Sequence, residues 1–437
     1  MRKISHKYPF GMDVRVLFNS FFSKPSLYHR IVVPLTAQNI INGYSFKNIQ
    51  DIFGGNDKLY KIFSPYRVCP VGAHVDHQYG LVTGFALDMG IDILFSATEN
   101  GNVEMCSLAF EGLTVFNVAK PVEPRHSDWG DYLRGAVWAM QKDFHLAKGI
   151  RGVVNGSMPI GGVSSSAALL CGIVMAVAKV NDIELDKTKV VYYASEAERK
   201  YVGLQNGILD QACVMLCEEN KLLYLDTKTS DYSLLDFGSC GGRDIDIEIG
   251  VFFSGVMRKL TGTDYNLRVS ECKTAAWIMQ AYEDQPLKEL ADTRLRDVSE
   301  KLFCKYQDKM PVRFAKRARH FYSECERVEK AVEAWKKGDI KRFGQYVSES
   351  CKSSIENYEC GSPELTDLYD IMCDTDGIYG GRFSGAGFKG ACIAIIDPSK
   401  KELISDRVSS RYLARYPQYK DRFKMFFCKI SNGASFQ

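Results

Sequence analysis

A chain of 437 residues is long enough for two domains, or one large one, with ample hydrophobic core. Its 46% hydrophobic and 25% charged content is the globular norm and excludes wholesale disorder. A net charge of +3 and a pI of about 8.1 are too balanced to argue for nucleic acid or an anionic membrane surface as a partner.

The longest apolar run, Ala167 to Ala178, stops at Lys179 and is too short to span a bilayer. The N-terminus carries Arg2, Lys3 and Lys7 with no apolar segment behind them, so no secretory signal is expected. The 14 cysteines include no Cys-x-x-Cys pair, and no histidine cluster accompanies Cys213 and Cys217. This fits neither a zinc framework nor a small secreted scaffold. Reduced thiols in a cytoplasmic protein are expected.

Residues 1–55 carry no readable chemistry, although Leu35 to Phe53 has room for one or two helices. Organisation begins at Tyr66–Gly80, where a short strand runs into a polar loop. Strands are predicted at Met89–Ala97, Val103–Leu108 and Leu113–Val118, with a hairpin turn at Glu99–Asn102. Asp128 is a candidate N-cap for a helix running to about Phe144. A strand at Gly152–Asn155 delivers the chain to Met158-Pro-Ile-Gly-Gly-Val-Ser-Ser-Ser-Ala-Ala168. Helices are predicted over about 164–180 and 187–202, then a loop from Gly203 enters another helix near Asp210. Leu222–Asp226 reads as a strand.

A composition shift at Cys240–Arg243 divides the chain into 1–243 and 244–437. The second part opens with an alternating strand, Ile245–Phe253. A helix follows over Val312–Lys337, whose Lys316, Arg317 and Arg319 read as a solvated face. Gly380–Gly390 is glycine-rich and precedes an apolar strand, Ala391–Ile396. No internal repeat is present.

Two glycines and three serines at the mouth of an apolar helix form an anion cradle. The first helical N–H groups lack intrahelical partners, and the macrodipole adds partial positive charge there. Gly161 and Gly162 allow close backbone approach, and Ser164, Ser165 and Ser166 add hydroxyls. No lysine follows the glycines, so this is not the GxxxxGK[ST] loop. An ordinary capped core helix is the competing reading. His74, Asp76 and His77 offer three metal ligands but no evident fourth, and a polyhydroxylated ligand suits them better.

Four islands, Arg67–Gly80, Pro159–Ala168, Glu198–Gln211 and Gly380–Gly390, together resemble the motifs of the GHMP superfamily of small-molecule kinases, in its galactokinase branch. The resemblance covers about residues 60 to 430. It implies an α+β fold of two domains with the active site in the cleft between them, the second domain ferredoxin-like. Some positions depart from galactokinases. Ala73 stands for their Glu, His77 for their Tyr, and Asn206 for their Cys, and the serine motif is one residue shorter. These departures, with Tyr265–Cys272 and Ser353–Gly361, are similar to the galacturonate kinases first recognised in plants.

The resemblance implies ATP and Mg²⁺ as cofactors and transfer of the γ-phosphoryl group to the anomeric hydroxyl of galacturonate. Arg67 and Asp210 are the implied catalytic pair. Ser165 and Glu198 are the implied Mg²⁺ ligands. Sugar contacts fall on Ala73, His74, Asp76, His77, Gly207 and Tyr265. Trp129 and Tyr132 match the adenine pocket, with helix-face packing as the competing reading. Gly161, Gly162 and the three serines match the phosphate loop, and Gly385, Ala386 and Gly387 close it. Glu196 and Asp226 read as structural carboxylates.

Ala73 removes a repulsion of roughly 1 to 4 kcal/mol between two anions about 4 Å apart. His77, Gln78 and Arg258 are the candidate donors to the acid. The alternatives are a galactokinase, a kinase for another hexose or uronic acid, and a non-catalytic sugar sensor. A monomer is the favoured expectation, with no nucleic-acid or membrane partner.

Overall fold

The computed structural model describes residues 58–239, 246–256, 265–388 and 390–437. The expected boundary at Cys240–Arg243, the candidate donor Arg258 and the N-terminal 55 residues lie outside them. In chain order the first half forms β1 (Tyr60–Val68), β2 (Leu81–Thr98), β3 (Asn102–Ser107), β4 (Leu113–Asn117), α1 (Gly130–Met140) and β5 (Gly149–Gly156). Helices α2 (Ser165–Val180), α3 (Lys187–Glu196) and α4 (Leu209–Leu216) follow, then the hairpin β6 (Lys221–Asp226) and β7 (Tyr232–Asp236).

These strands belong to a nine-stranded sheet whose main path pairs β1, β2, β5, β3 and β4 in that order. Strand β2 is 18 residues long, twice the expected Met89–Ala97. Its first part, Leu81–Gly84, pairs with β6, and its second part, Ile91–Thr98, pairs with β5. The first part is buried on both faces, so it carries no alternation to read. Helix α2 lies on this sheet. Its Leu170, Ile173, Val174 and Val177 are buried, each worth roughly 1.5–3 kcal/mol relative to exposure.

The second half forms β8 (Glu248–Phe253), α5 (Tyr265–Tyr282), α6 (Glu300–Tyr306), α7 (Val312–Lys336), α8 (Ile340–Ser353) and α9 (Pro363–Cys373). Then come β9 (Ile378–Phe383), β10 (Ala391–Ile396), α10 (Lys401–Arg415) and β11 (Lys424–Cys428). The second sheet has the order β11-β8-β10-β9, with every pair antiparallel. Taken as strands one to four of a split βαβ unit, that order is 4-1-3-2, the ferredoxin-like arrangement. The chain then crosses back. Ile430–Ser431, here β12, pairs with β2, and Ser435–Phe436, here β13, pairs with β1. A cut near residue 243 therefore does not separate the two sheets cleanly.

Other local expectations are corrected. Strand β8 is an inner strand, between β10 and β11, and is buried along its whole length rather than alternating, as for a strand covered on both faces. Strand β9 had no signal, since Gly380 replaces a side chain. A Cβ there would lie 1.8 Å from the Gly344 carbonyl oxygen, so α8 rests directly on the strand. Asp128 does not cap α1; its carboxylate pairs with Arg134 instead. Arg317 is not on a solvated face. It is 1% exposed, and its guanidinium pairs with Glu271 and Glu359, each at 2.7 Å. Among the described residues no helix is long and apolar enough to cross a membrane, and every cysteine is a free thiol.

Candidate active site

Arg67 ends β1 beside a bulge between Pro65 and Arg67. Its Nε donates to Asp210 Oδ1 at 2.8 Å, and a terminal nitrogen lies 2.7 Å from the same oxygen. The other carboxylate oxygen, Oδ2, accepts from Ser164 Oγ at 2.5 Å. Asp210 sits in the first turn of α4. Burial, the largest single influence, lowers the Arg67 pKa, but the Asp210 charge, together with smaller contributions from Cys213, Cys69 and the hydrogen bond to Asp210, outweighs it and the value is raised.

Ser164 is the N-cap residue of α2, in the left-handed region at φ 54°, yet it makes no capping bond. Its hydroxyl is spent on Asp210, which leaves the first N–H groups of α2 facing outward for an anion. Two residues on, Ser166 Oγ donates to Glu198 Oε1 at 2.7 Å. Glu198 Oε2 accepts from Asn206 Nδ2 at 2.8 Å and Gln211 Nε2 at 2.5 Å. Burial first, then the Asp210 charge, raises the Glu198 pKa. One helix mouth thus tethers two carboxylates through alternate serines. Ser165, between them, has no side-chain partner among the described residues.

The expected Mg²⁺ ligands can be tested against this geometry. Glu198 and the serine hydroxyls are hard oxygen donors, the kind Mg²⁺ takes. Asn206 Oδ1 and Gln211 Oε1 are buried beside the same carboxylate with no hydrogen-bond partner. Carboxylate, hydroxyl and amide oxygens therefore lie at or beside Glu198, a donor chemistry that suits a hard cation. Among the described residues no group of three or more His, Cys, Asp and Glu side chains could hold a metal. The His74, Asp76 and His77 trio is accordingly not a metal cluster.

Asp76 opens a short 3-10 turn, Asp76–Gln78. A Cβ on Gly207 would lie 2.5 Å from Asp76 Oδ2 and 2.6 Å from its backbone carbonyl carbon, so only glycine fits there. Burial first, then the Asp210 charge, lifts the Asp76 pKa to about 6. His74 is held at φ 63°, an uncommon conformation for a buried non-glycine residue. Its ring stacks on Tyr358 at 4.4 Å. Tyr265 opens α5 and meets His77 edge-on at 6.1 Å. Ala73 is buried, and its carbonyl faces His320 Nε2 at 3.0 Å.

The glycine loops of the two halves touch. A Cβ on Gly385 would be 3.1 Å from Gly162 Cα, and one on Gly390 would be 3.1 Å from the Gly161 carbonyl carbon. Ser384 Oγ donates to the Gly162 carbonyl. Gly385 and Gly387 both adopt positive φ, and Ala386 between them is partly exposed. Trp129 precedes α1, and its ring lies parallel to Phe110 with centroids 6.4 Å apart. The Tyr132 hydroxyl is pushed up to about 12, by burial and then by the Glu198 charge. Glu196 pairs with Lys142 and Lys200, and Asp226 pairs with Arg296.

Sequence reasoning did not single out Ser166 as the Glu198 anchor, nor Phe110, His320 or Tyr358, and it marked Asn206 only as a departure from the galactokinase motif, not as a partner of Glu198. Gln211 and Tyr358 lie inside motifs that were visible, Gly-Ile-Leu-Asp-Gln and Ser-Ile-Glu-Asn-Tyr-Glu-Cys-Gly. Tyr358 meets His77 from 281 positions away, and Gln211 reaches Glu198 only across the intervening loop, 13 positions back, so the motifs alone assign them no role.

Residues 131–218 match the model of the GHMP kinases N terminal domain, and 330–414 match that of the GHMP kinases C terminal domain. A galacturonokinase of Arabidopsis thaliana is 36% identical over 416 residues, covering 89% of this chain and 97% of that protein. A galactokinase of Pyrococcus furiosus is 30% identical over 371 residues, covering 85% and 97%. The fold matches that of Lactococcus lactis galactokinase, crystallised with galactose, at a TM-score of 0.81 and 23% identity, covering 92% of this chain and all of that one. The chain belongs to the GHMP kinase family, among the sugar kinases that include galactokinase and galacturonokinase.

Proposed function

We propose that this protein is a cytoplasmic sugar 1-kinase that transfers the γ-phosphoryl group of ATP to the anomeric hydroxyl of D-galacturonate. The observation that carries the reaction class is Asp210, held by Arg67 and Ser164 at the open N-terminus of α2. Phosphoryl transfer asks for alignment and charge stabilisation more than for covalent chemistry. Asp210 orients the anomeric hydroxyl and takes its proton. The sugar oxygen then forms the new bond to phosphorus as the bond to the ADP oxygen breaks. Arg67 stabilises negative charge beside the reacting atoms. The α2 N–H groups and Gly161, Gly162, Ser164, Ser165 and Ser166 hold the phosphates, closed over by Gly385, Ala386 and Gly387.

Mg²⁺, when bound, neutralises phosphate charge, and Glu198 with Ser165 or Ser166 holds it. Trp129, Tyr132 and Phe110 flank the adenine. His74, Asp76, Gly207 and Tyr265 line the sugar. The choice of acid rests on Ala73, which places no carboxylate at this corner, and on the likeness to the Arabidopsis galacturonokinase. The likeness to the Pyrococcus galactokinase makes galactose the second reading. Coupled ADP release with Mg-ATP against galacturonate, glucuronate, galactose and glucose tests both. Turnover driven by galacturonate above the other three is expected. Preference for galactose makes the protein a galactokinase, and no turnover with any sugar sinks the kinase reading for this panel.

The Asp76 pKa of about 6 has a consequence for pH. Ionised Asp76 accepts hydroxyl hydrogens, so kcat/KM for the sugar should fall as pH drops through about 6. The folded value lies above the ordinary 3.8, so the folded chain binds this proton more tightly than the unfolded one. Between about pH 6 and 4, Asp76 itself therefore adds stability as pH falls, and lost activity there is not Asp76-driven unfolding. In Asp76→Asn the limb should vanish from the residual profile; a limb that persists assigns it to another group.

A further inference from the structure

The loop that carries Ala73, His74 and Asp76 is held by a helix of the other half of the chain. Val71 is tied to β2, its carbonyl accepting from the Thr83 N–H at 3.0 Å. The next two residues are tied to α7. The Gly72 N–H donates to Glu324 Oε1 at 2.8 Å, and His320 Nε2 lies 3.0 Å from the Ala73 carbonyl oxygen. A carbonyl only accepts, so His320 carries its hydrogen on Nε2. Burial lowers the His320 pKa and keeps the ring neutral, so Nδ1 accepts from Ser353 Oγ at 2.9 Å.

His320, Glu324 and Val328 recur every four residues and share one face of α7. A Cβ on Gly72 would lie 3.0 Å from the Val328 side chain and 2.6 Å from Val82 Cα, so the loop is pressed between α7 and β2. Glu324 also accepts from Ser350 and Arg327, and Arg382 lies 3.8 Å away. Burial, the largest influence, raises the Glu324 pKa, but Arg327 and its other neighbours together outweigh it, so the carboxylate stays ionised.

Two bonds on adjacent residues, one to an N–H and one to a carbonyl, leave the intervening backbone little freedom to turn. His74 follows directly at φ 63°, a conformation that persists only where its surroundings impose it. Both α7 side chains are fully buried, so they act on a ligand only through the loop. The Arg67–Asp210–Ser164 group is bonded within the first half and does not depend on α7.

We propose that His320 and Glu324 are positioning residues, a two-point clamp that sets where Ala73, His74 and Asp76 are presented to the sugar. This rests on the reading of that loop as the sugar site.

His320→Leu removes the donor to Ala73, and His320→Gln restores an N–H donor in its place. With the sugar the unaltered enzyme turns over fastest, the Leu variant should raise KM for sugar about tenfold, because small displacements of positioning groups are costly. Its KM for ATP should stay within about twofold, and the Gln variant should recover most of the sugar KM. Rates are read below each variant's melting transition. An unchanged sugar KM in the folded Leu variant, an equal rise for sugar and ATP, or a Gln variant no better than Leu overturns the proposal. If the unaltered enzyme turns over no sugar, the kinase reading itself has failed. A measurement without any variant guards against misfolding: ¹⁵N spectra of histidine-labelled protein should show His320 protonated on Nε2. A bare Nε2 would leave the Ala73 carbonyl without its donor, which also overturns the proposal.

Discussion

Asp210→Asn is expected to lower turnover of the sugar by about 10³-fold, the scale on which a positioned proton acceptor contributes. The change leaves the shape of the site in place. An Asn oxygen can still accept from Arg67, whose guanidinium offers only donors. The amide NH₂ then faces Ser164, whose hydroxyl can turn to accept from it. What disappears is the charge. Arg67 is 4% exposed, so loss of its ionic partner leaves a buried guanidinium poorly compensated and costs stability of about 1–3 kcal/mol. The two effects separate experimentally. A thermal melt reads the stability cost, and nucleotide affinity at a temperature where the variant is folded reports whether the α2 mouth survives. Turnover within a few-fold of the unaltered enzyme in a folded, nucleotide-binding variant would remove Asp210 from the reaction.

The parts of this site that were legible in sequence are those whose chemistry is local. The serine loop is one continuous stretch, and glycines followed by hydroxyls before an apolar helix state an anion cradle without help from the rest of the chain. The pairing of Arg67 with Asp210, 143 positions apart, was not readable from either residue alone; it came only through the family resemblance. Arg317 shows the limit. Its neighbours Lys316 and Arg319 suggest a wet face, but Glu271 and Glu359 arrive from other elements and draw it inside. Tyr358 lies 281 positions from His77, so no window of sequence joins them. The first part of β2 was hidden for a different reason, since burial on both faces erases the period on which strand prediction depends.

Ala73→Glu tests the substrate choice most directly, because the backbone that carries residue 73 is held from both sides. The Gly72 N–H donates to Glu324 Oε1 at 2.8 Å, and the Ala73 carbonyl accepts from His320 Nε2 at 3.0 Å. Both partners come from α7. A Glu side chain must therefore project from a fixed Cα rather than carry the loop away with it. Two anions about 4 Å apart repel by roughly 1–4 kcal/mol at effective dielectrics of 80 to 20, so kcat/KM for galacturonate should fall by about 5- to 10³-fold. Galactose carries no charge and should lose much less. Ala73→Gln separates charge from bulk, since it adds nearly the same volume without the anion. If Gln costs galacturonate as much as Glu does, the corner reads size. If Glu costs both sugars equally, Ala73 does not face the acid, and its place beside His320 is structural.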